Sequence, residues 1–149
     1  MTASRALRRA GVWWKLDAFP AEPSAVYAQI MGAYIRNIVI EGPDARALAT
    51  FYAELLGMKI IREDWLVVAK DEESFPRLAF DENPDYQPPR WPDPAYPQQM
   101  HLDLHVDDPE KAQEVALRLG ATRLPDLGGS CPVFADPAGH PFCLCGAGQ

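Results

Sequence analysis

The run His101-Leu-Asp-Leu-His105 sets a group that can take up a proton or bind a metal at every second position, with Leu102, Leu104 and Val106 in between. In a β-strand this alternation puts the three polar groups on one face and the apolar ones on the other. Two readings stay open. Any sheet with one polar side shows such a pattern, and the same pattern lets imidazole, carboxylate and imidazole converge on a metal ion. The groups also suit acid–base chemistry, with His101 or His105 as base and Asp103 or Asp81 setting its tautomer and proton affinity.

The elements that must position these groups are written twice along the chain. Asn37-Ile-Val-Ile-Glu-Gly-Pro-Asp44 leads into a helical run ending Leu55-Leu56-Gly57, and His101-Leu-Asp-Leu-His-Val-Asp-Asp108 leads into one ending Arg118-Leu119-Gly120. Asn37 falls 64 positions before His101, and Gly57 falls 63 before Gly120, so one residue is lost within the second helix. Such a repeat signals two supersecondary modules of one architecture.

In the first module a strand runs from Tyr34 through Ile40, and Gly42-Pro43-Asp44 ends it. Asp44 is placed to cap a helix over Ala45 to Leu56, with Leu48, Phe51, Tyr52, Leu55 and Leu56 as its apolar stripe and Gly57 as its stop. Three short strands follow at Met58 to Arg62, Trp65 to Lys70 and Arg77 to Asp81. Residues 82–98 hold six prolines and read as a stiff linker carrying Tyr86, Trp91 and Tyr96. The second module repeats the plan: strand Met100 to Val106, helix Pro109 to Leu119, strands Thr122 to Leu124 and Pro132 to Ala135, the turn Asp136-Pro-Ala-Gly139, and a last strand Phe142 to Cys145. The fold class is therefore α+β. Module one spans 34–81 and module two 99–146, while residues 1–32, with a short helix over Ser24 to Met31, lie outside the core.

At 149 residues the chain can bury a core without staples. Three cysteines make no even disulfide framework, and neighbours on one strand face such as Cys143 and Cys145 bridge only under strain. A reduced, cytoplasmic setting is expected. A net charge of −7 repels phosphates and anionic lipid, which argues against nucleic-acid and membrane partners. No apolar run nears the roughly 20 residues that span a bilayer, and the patch at Val12-Trp-Trp14 after Arg5, Arg8 and Arg9 is too brief for a secretory leader. Trp13 and Trp14 are the only support for a partner-binding extension.

The helix end Phe51-Tyr-Ala-Glu-Leu-Leu-Gly57, the strand from His101, and Asp136-Pro-Ala-Gly-His-Pro-Phe142 resemble the vicinal-oxygen-chelate superfamily, most of all its glyoxalase-like and bleomycin-resistance-like domains. The resemblance covers residues 34–146. It implies two βαβββ modules whose sheets curl into a cup with helices outside. In metal-dependent members His, Glu or Gln on the first and last strands of each module hold a divalent ion. Carried over, the first-strand positions are Asn37 and His101. The last-strand position of module two falls on Cys143, and that of module one on Ala79 or Asp81. His101 and Asp81 are thus the metal candidates, in an incomplete set. Cys143 beside His101 would make a thiolate–imidazole nucleophile, an inert buried cysteine being the alternative.

The catalytic candidates are accordingly His101, Asp81 and Cys143. Asn37, Asp103, His105, Trp65 and Trp91 are the candidates for holding a ligand. The resemblance implies a protein that binds a small organic molecule in the cup, acting as a lyase or isomerase but not as glyoxalase I itself. The alternative is a sequestering protein of the bleomycin-resistance type, which binds without converting. Homodimers are common among such proteins.

Overall fold

Alternating apolar residues in Asn37-Ile-Val-Ile-Glu-Gly form strand β1 (Asn37–Gly42), which buries Ile40 and turns Val39 and Glu41 outward. Helix α1 (Ala45–Leu56) begins at Asp44, whose carboxylate accepts the Ala47 amide at 2.9 Å. It ends at Gly57, which adopts the left-handed conformation at φ 62° that a side chain would strain. Strands β2 (Lys59–Arg62), β3 (Leu66–Ala69) and β4 (Arg77–Glu82) complete module one. Module two comprises β5 (Leu102–His105), α2 (Pro109–Arg118), β6 (Thr122–Arg123), β7 (Val133–Ala135) and β8 (Pro141–Cys145). Asp108 caps α2 through the Lys111 amide, with Pro109 in the first turn where its missing N–H costs nothing.

This computed structural model describes residues 34–148, and those from Arg36 onward belong to one compact unit. The expected Ser24 to Met31 helix and the Trp13-Trp14 extension lie outside the described residues. The fold is α+β: two four-stranded mixed sheets of orders β1-β4-β3-β2 and β5-β8-β7-β6, not closed into a barrel. In each, the first strand runs parallel to the last and the others are antiparallel. The first strand starts at Asn37 rather than Tyr34: its partner β4 starts at Arg77, whose amide bonds to the Arg36 carbonyl just ahead of the paired residues. Strand β4 takes in Glu82, and the rest of the linker, residues 83–98, carries no helix or strand, as its prolines require.

One apolar cluster joins both modules. Ile40, Leu48, Phe51, Tyr52 and Phe80 from the first pack with Phe134, Phe142 and Leu144 from the second. Phe51 meets Phe142 edge-on at 5.9 Å between ring centroids, and Tyr52 stacks on Phe80 at 5.7 Å. The α1 stripe therefore serves both sheets. At Gly42 this packing leaves no room for a side chain, since an added Cβ would stand 2.5 Å from Leu48 Cδ1.

The cysteine expectation needs correction. Cys143 and Cys145 do stay unbridged to one another, but Cys145 is bonded to Cys131, with Cα atoms 5.0 Å apart, and Cys143 is free. Antiparallel pairing of β7 with β8 brings Cys131, just ahead of β7, beside the end of β8. A count of three says nothing about that juxtaposition.

Candidate functional site

His101 stands immediately before β5, and pairing of β5 with β8 sets Asp103 opposite Cys143. Residues on the core side of these strands, Leu104, Phe142 and Leu144, are packed inward, so His101, Asp103 and Cys143 share the other face. His101 Nε2 lies 3.2 Å from Cys143 Sγ and 3.4 Å from Asp103 Oδ1. One ligand atom from each of the three side chains falls within 4.8 Å of the others.

The imidazole is oriented from behind. His101 Nδ1 is 3.1 Å from Gln98 Oε1, and because an amide oxygen only accepts, Nδ1 carries the proton and Nε2 presents a lone pair to the cleft. The Cys143 thiol donates to that lone pair. Burial, and then the Asp103 carboxylate, push the thiol above its usual proton affinity, so at neutral pH it is S–H rather than thiolate. As found, the trio is a hydrogen-bonded imidazole and thiol beside an exposed carboxylate, not a thiolate–imidazolium pair.

These groups line a cleft of about 510 Å³ with Trp91, Asp126, Leu127, Val133 and the bridged Cys131 and Cys145. Trp91 is fixed by its indole N–H, which donates to the Pro125 carbonyl at 3.1 Å, and its ring centroid lies 6.1 Å from that of His101. The cleft belongs to module two and the linker. A separate cavity of about 490 Å³ draws on both modules, with Val39 and Glu41 from the first, Tyr86 from the linker and Met100 and His140 from the second.

The remaining expected residues stand apart from the trio. Asp81 accepts the Trp65 indole N–H at 2.6 Å, so these two satisfy one another on module one. His105 Nε2 is 3.8 Å from Asp107, at the edge of a groove with Leu55, Leu56 and Lys111. Asn37 Oδ1 is buried without a hydrogen-bond partner. The register also resolves the choice left between Ala79 and Asp81. Asn37, Val39 and Glu41 pair with Arg77, Ala79 and Asp81, as Asp103 and His105 pair with Cys143 and Cys145. A 64-residue offset makes Ala79 the counterpart of Cys143, and Asp81 that of Cys145.

The Asp136 to Phe142 motif folds into a buried lock. Asp136 Oδ1 accepts the amides of Ala138 and His140 at 2.9 and 3.0 Å, while Oδ2 accepts the Tyr52 hydroxyl at 3.0 Å and His140 Nδ1 at 2.8 Å. With Nδ1 protonated, His140 Nε2 accepts the Tyr86 hydroxyl at 3.0 Å. Helix α1, the linker and the β7–β8 turn are tied together here. Burial, then Asp136, raise Tyr52 well above the usual tyrosine range and Tyr86 to about 12. Sequence reasoning assigned no role to Gln98, Asp126 or Cys131. Gln98 sits three residues before His101, and an odd cysteine was the signal for Cys131.

A glyoxalase-like domain model matches residues 37–145. No curated protein sequence matches. Among solved structures, a glyoxalase/bleomycin resistance protein/dioxygenase family enzyme from Burkholderia phytofirmans is 18% identical, covering 76% of this chain and 98% of its own, with a TM-score of 0.58. The trypanothione-dependent glyoxalase I of Leishmania major is 21% identical over 76% of this chain and 86% of its own, at 0.57. An antibiotic binding protein from a Streptomyces species is 19% identical over 76% and 95%, at 0.52. At these identities the likeness concerns the fold.

Proposed function

The chain belongs to the glyoxalase-like domain family, and from that premise we propose that it binds a small organic molecule in the cleft floored by His101, Asp103 and Cys143 and walled by Trp91. The observation that carries the reading is the convergence of those three side chains within 4.8 Å in a cleft of about 510 Å³. Ligand sites are of this size, largely apolar with a few converging polar groups.

The chemistry on offer is proton transfer. His101 Nε2 takes a proton from a carbon or oxygen acid of the ligand, Gln98 holds the ring in the required tautomer, and Asp103 stabilises the imidazolium that forms. That suits a lyase or isomerase step. The donor set of one imidazole, one thiol and one carboxylate fits a divalent ion of the zinc type, which His101, Asp103 and Cys143 would hold. Such an ion supplies polarisation of a ligand oxygen. Glyoxalase I activity forms no part of the proposal, because module one offers Ala79 where module two has Cys143.

That same alanine favours a second reading, sequestration without conversion, in keeping with the antibiotic binding protein of similar fold. The net charge of −7 then selects cationic aromatic compounds. Calorimetric titration of the full chain with cationic aromatic compounds and with small dicarbonyl compounds separates the two. Binding that weakens in Trp91→Ala, with turnover lost in His101→Ala, supports the enzyme; binding with no turnover supports sequestration. If neither class of compound binds, the cleft is not a ligand site.

A further inference from the structure

Six side chains of metal-ligating type line the His101 cleft: His101, Asp103, Asp126, Cys131, Cys143 and Cys145. The Cys131–Cys145 bond withholds two sulfurs, and of the rest His101, Asp103 and Cys143 converge within 4.8 Å. We propose that reduction of this disulfide turns the cleft into a sulfur-rich zinc site, so that metal occupancy follows thiol redox state.

The placement rests on the sheet. Cys143 and Cys145 are alternate residues of β8 and therefore project from the same face, where Asp103 of β5 pairs opposite Cys143 and His101, just before β5, lies 3.2 Å from the Cys143 sulfur. Cys131 lies two residues before Val133, which pairs with Cys143, and its carbonyl oxygen is 4.0 Å from Cys143 Sγ. All three sulfurs thus belong to one small region of one face. Zinc prefers four ligands drawn from thiolate and imidazole, and thiolates select it over harder ions. With the bond intact, the cleft offers a single thiol. With it open, His101, Cys143, Cys145 and Cys131 make a set of one nitrogen and three sulfurs, with Asp103 beside them.

The chemistry balances with a dithiol as reductant. Two electrons and two protons pass from the dithiol to the protein, the sulfur–sulfur bond breaks, two cysteine thiols form, and the dithiol becomes a disulfide. Zinc then displaces the protons of the thiols it binds, so uptake releases acid.

The test uses the full chain, untreated and reduced, with the reductant removed without air, and measures zinc by competition with a chromophoric chelator. One zinc per chain, bound roughly 100-fold more tightly after reduction, is expected, because closed Cys/His sets far outbind incomplete ones. Cys145→Ser removes most of the gain. Equal affinity before and after reduction overturns the proposal, as does a Cys145→Ser chain that still gains. Cobalt(II) bound to the wild-type chain gives an answer independent of any variant: a near-ultraviolet sulfur-to-cobalt band that strengthens on reduction is required, and its absence is fatal. The proposal concerns the same cleft as the organic ligand but does not depend on it. Zinc uptake without ligand binding would sink the previous reading and leave this one.

Discussion

His101 has one ring nitrogen turned back to Gln98 and the other turned to the cleft, so its two neighbours divide into an orienting group and a reacting one. Gln98→Ala frees the ring to flip, and in a titration of turnover against pH this variant is expected to lose activity without losing ligand affinity. The free thiol offers a second test. Because burial and Asp103 both disfavour its thiolate, Cys143 should react slowly with iodoacetamide at pH 8. Taking away the carboxylate in Asp103→Asn lowers the thiol's proton affinity and should speed the reaction several-fold, measured by mass spectrometry. Buried Asp136 is a different case, since four donors depend on it. Asp136→Ala is expected to cost about 3 kcal/mol in urea denaturation, as buried hydrogen-bonded carboxylates do when removed. Strand alternation in the sequence sets His101, Asp103 and His105 on one face, while Cys143 enters beside His101 through the family resemblance, with Asp81 as the third catalytic candidate. Alternation groups residues by position only, and His105, although paired opposite Cys145, stands 3.8 Å from Asp107.

At the scale of elements, caps and turns were the most legible features. Asp44, Gly57 and Pro109 mark helix ends where the structure has them, each through a local backbone need that no distant contact overrides. Gly57→Ala should destabilise the chain by about 1 kcal/mol, the strain of a side chain in the left-handed region, with the thermal midpoint as readout. Strand register was not legible, because it is set by pairing between distant segments. Only the β1–β4 and β5–β8 ladders decide that Ala79 and not Asp81 corresponds to Cys143. The Cys131–Cys145 bond was hidden for the same reason. No feature of the local sequence reports what lies across a sheet.

For the whole molecule, the tie between modules has a pH signature. Tyr52 and Tyr86 must stay protonated to donate, to Asp136 and His140 respectively, and the fold raises both above the ordinary value near 10. A raised value means that the folded state keeps its proton longer than the unfolded chain does. The stability these hydroxyls contribute is therefore full below pH 10 and is lost as pH rises through the folded-state values, about 12 for Tyr86. In Tyr52→Phe that alkaline decline should flatten, at a cost of about 1.5 kcal/mol at pH 7, as expected for a bond to a charged acceptor. No helix among the described residues is long and apolar enough to cross a membrane. The shared core has one more consequence. Since Phe51 and Tyr52 of the first half are bedded against Phe142 and Asp136 of the second, the peptide between the halves is not what keeps them together. A protease cut in the exposed stretch 93–98 should leave two fragments that travel as one particle in gel filtration, and the halves, made as separate chains, should find each other and rebuild the cleft.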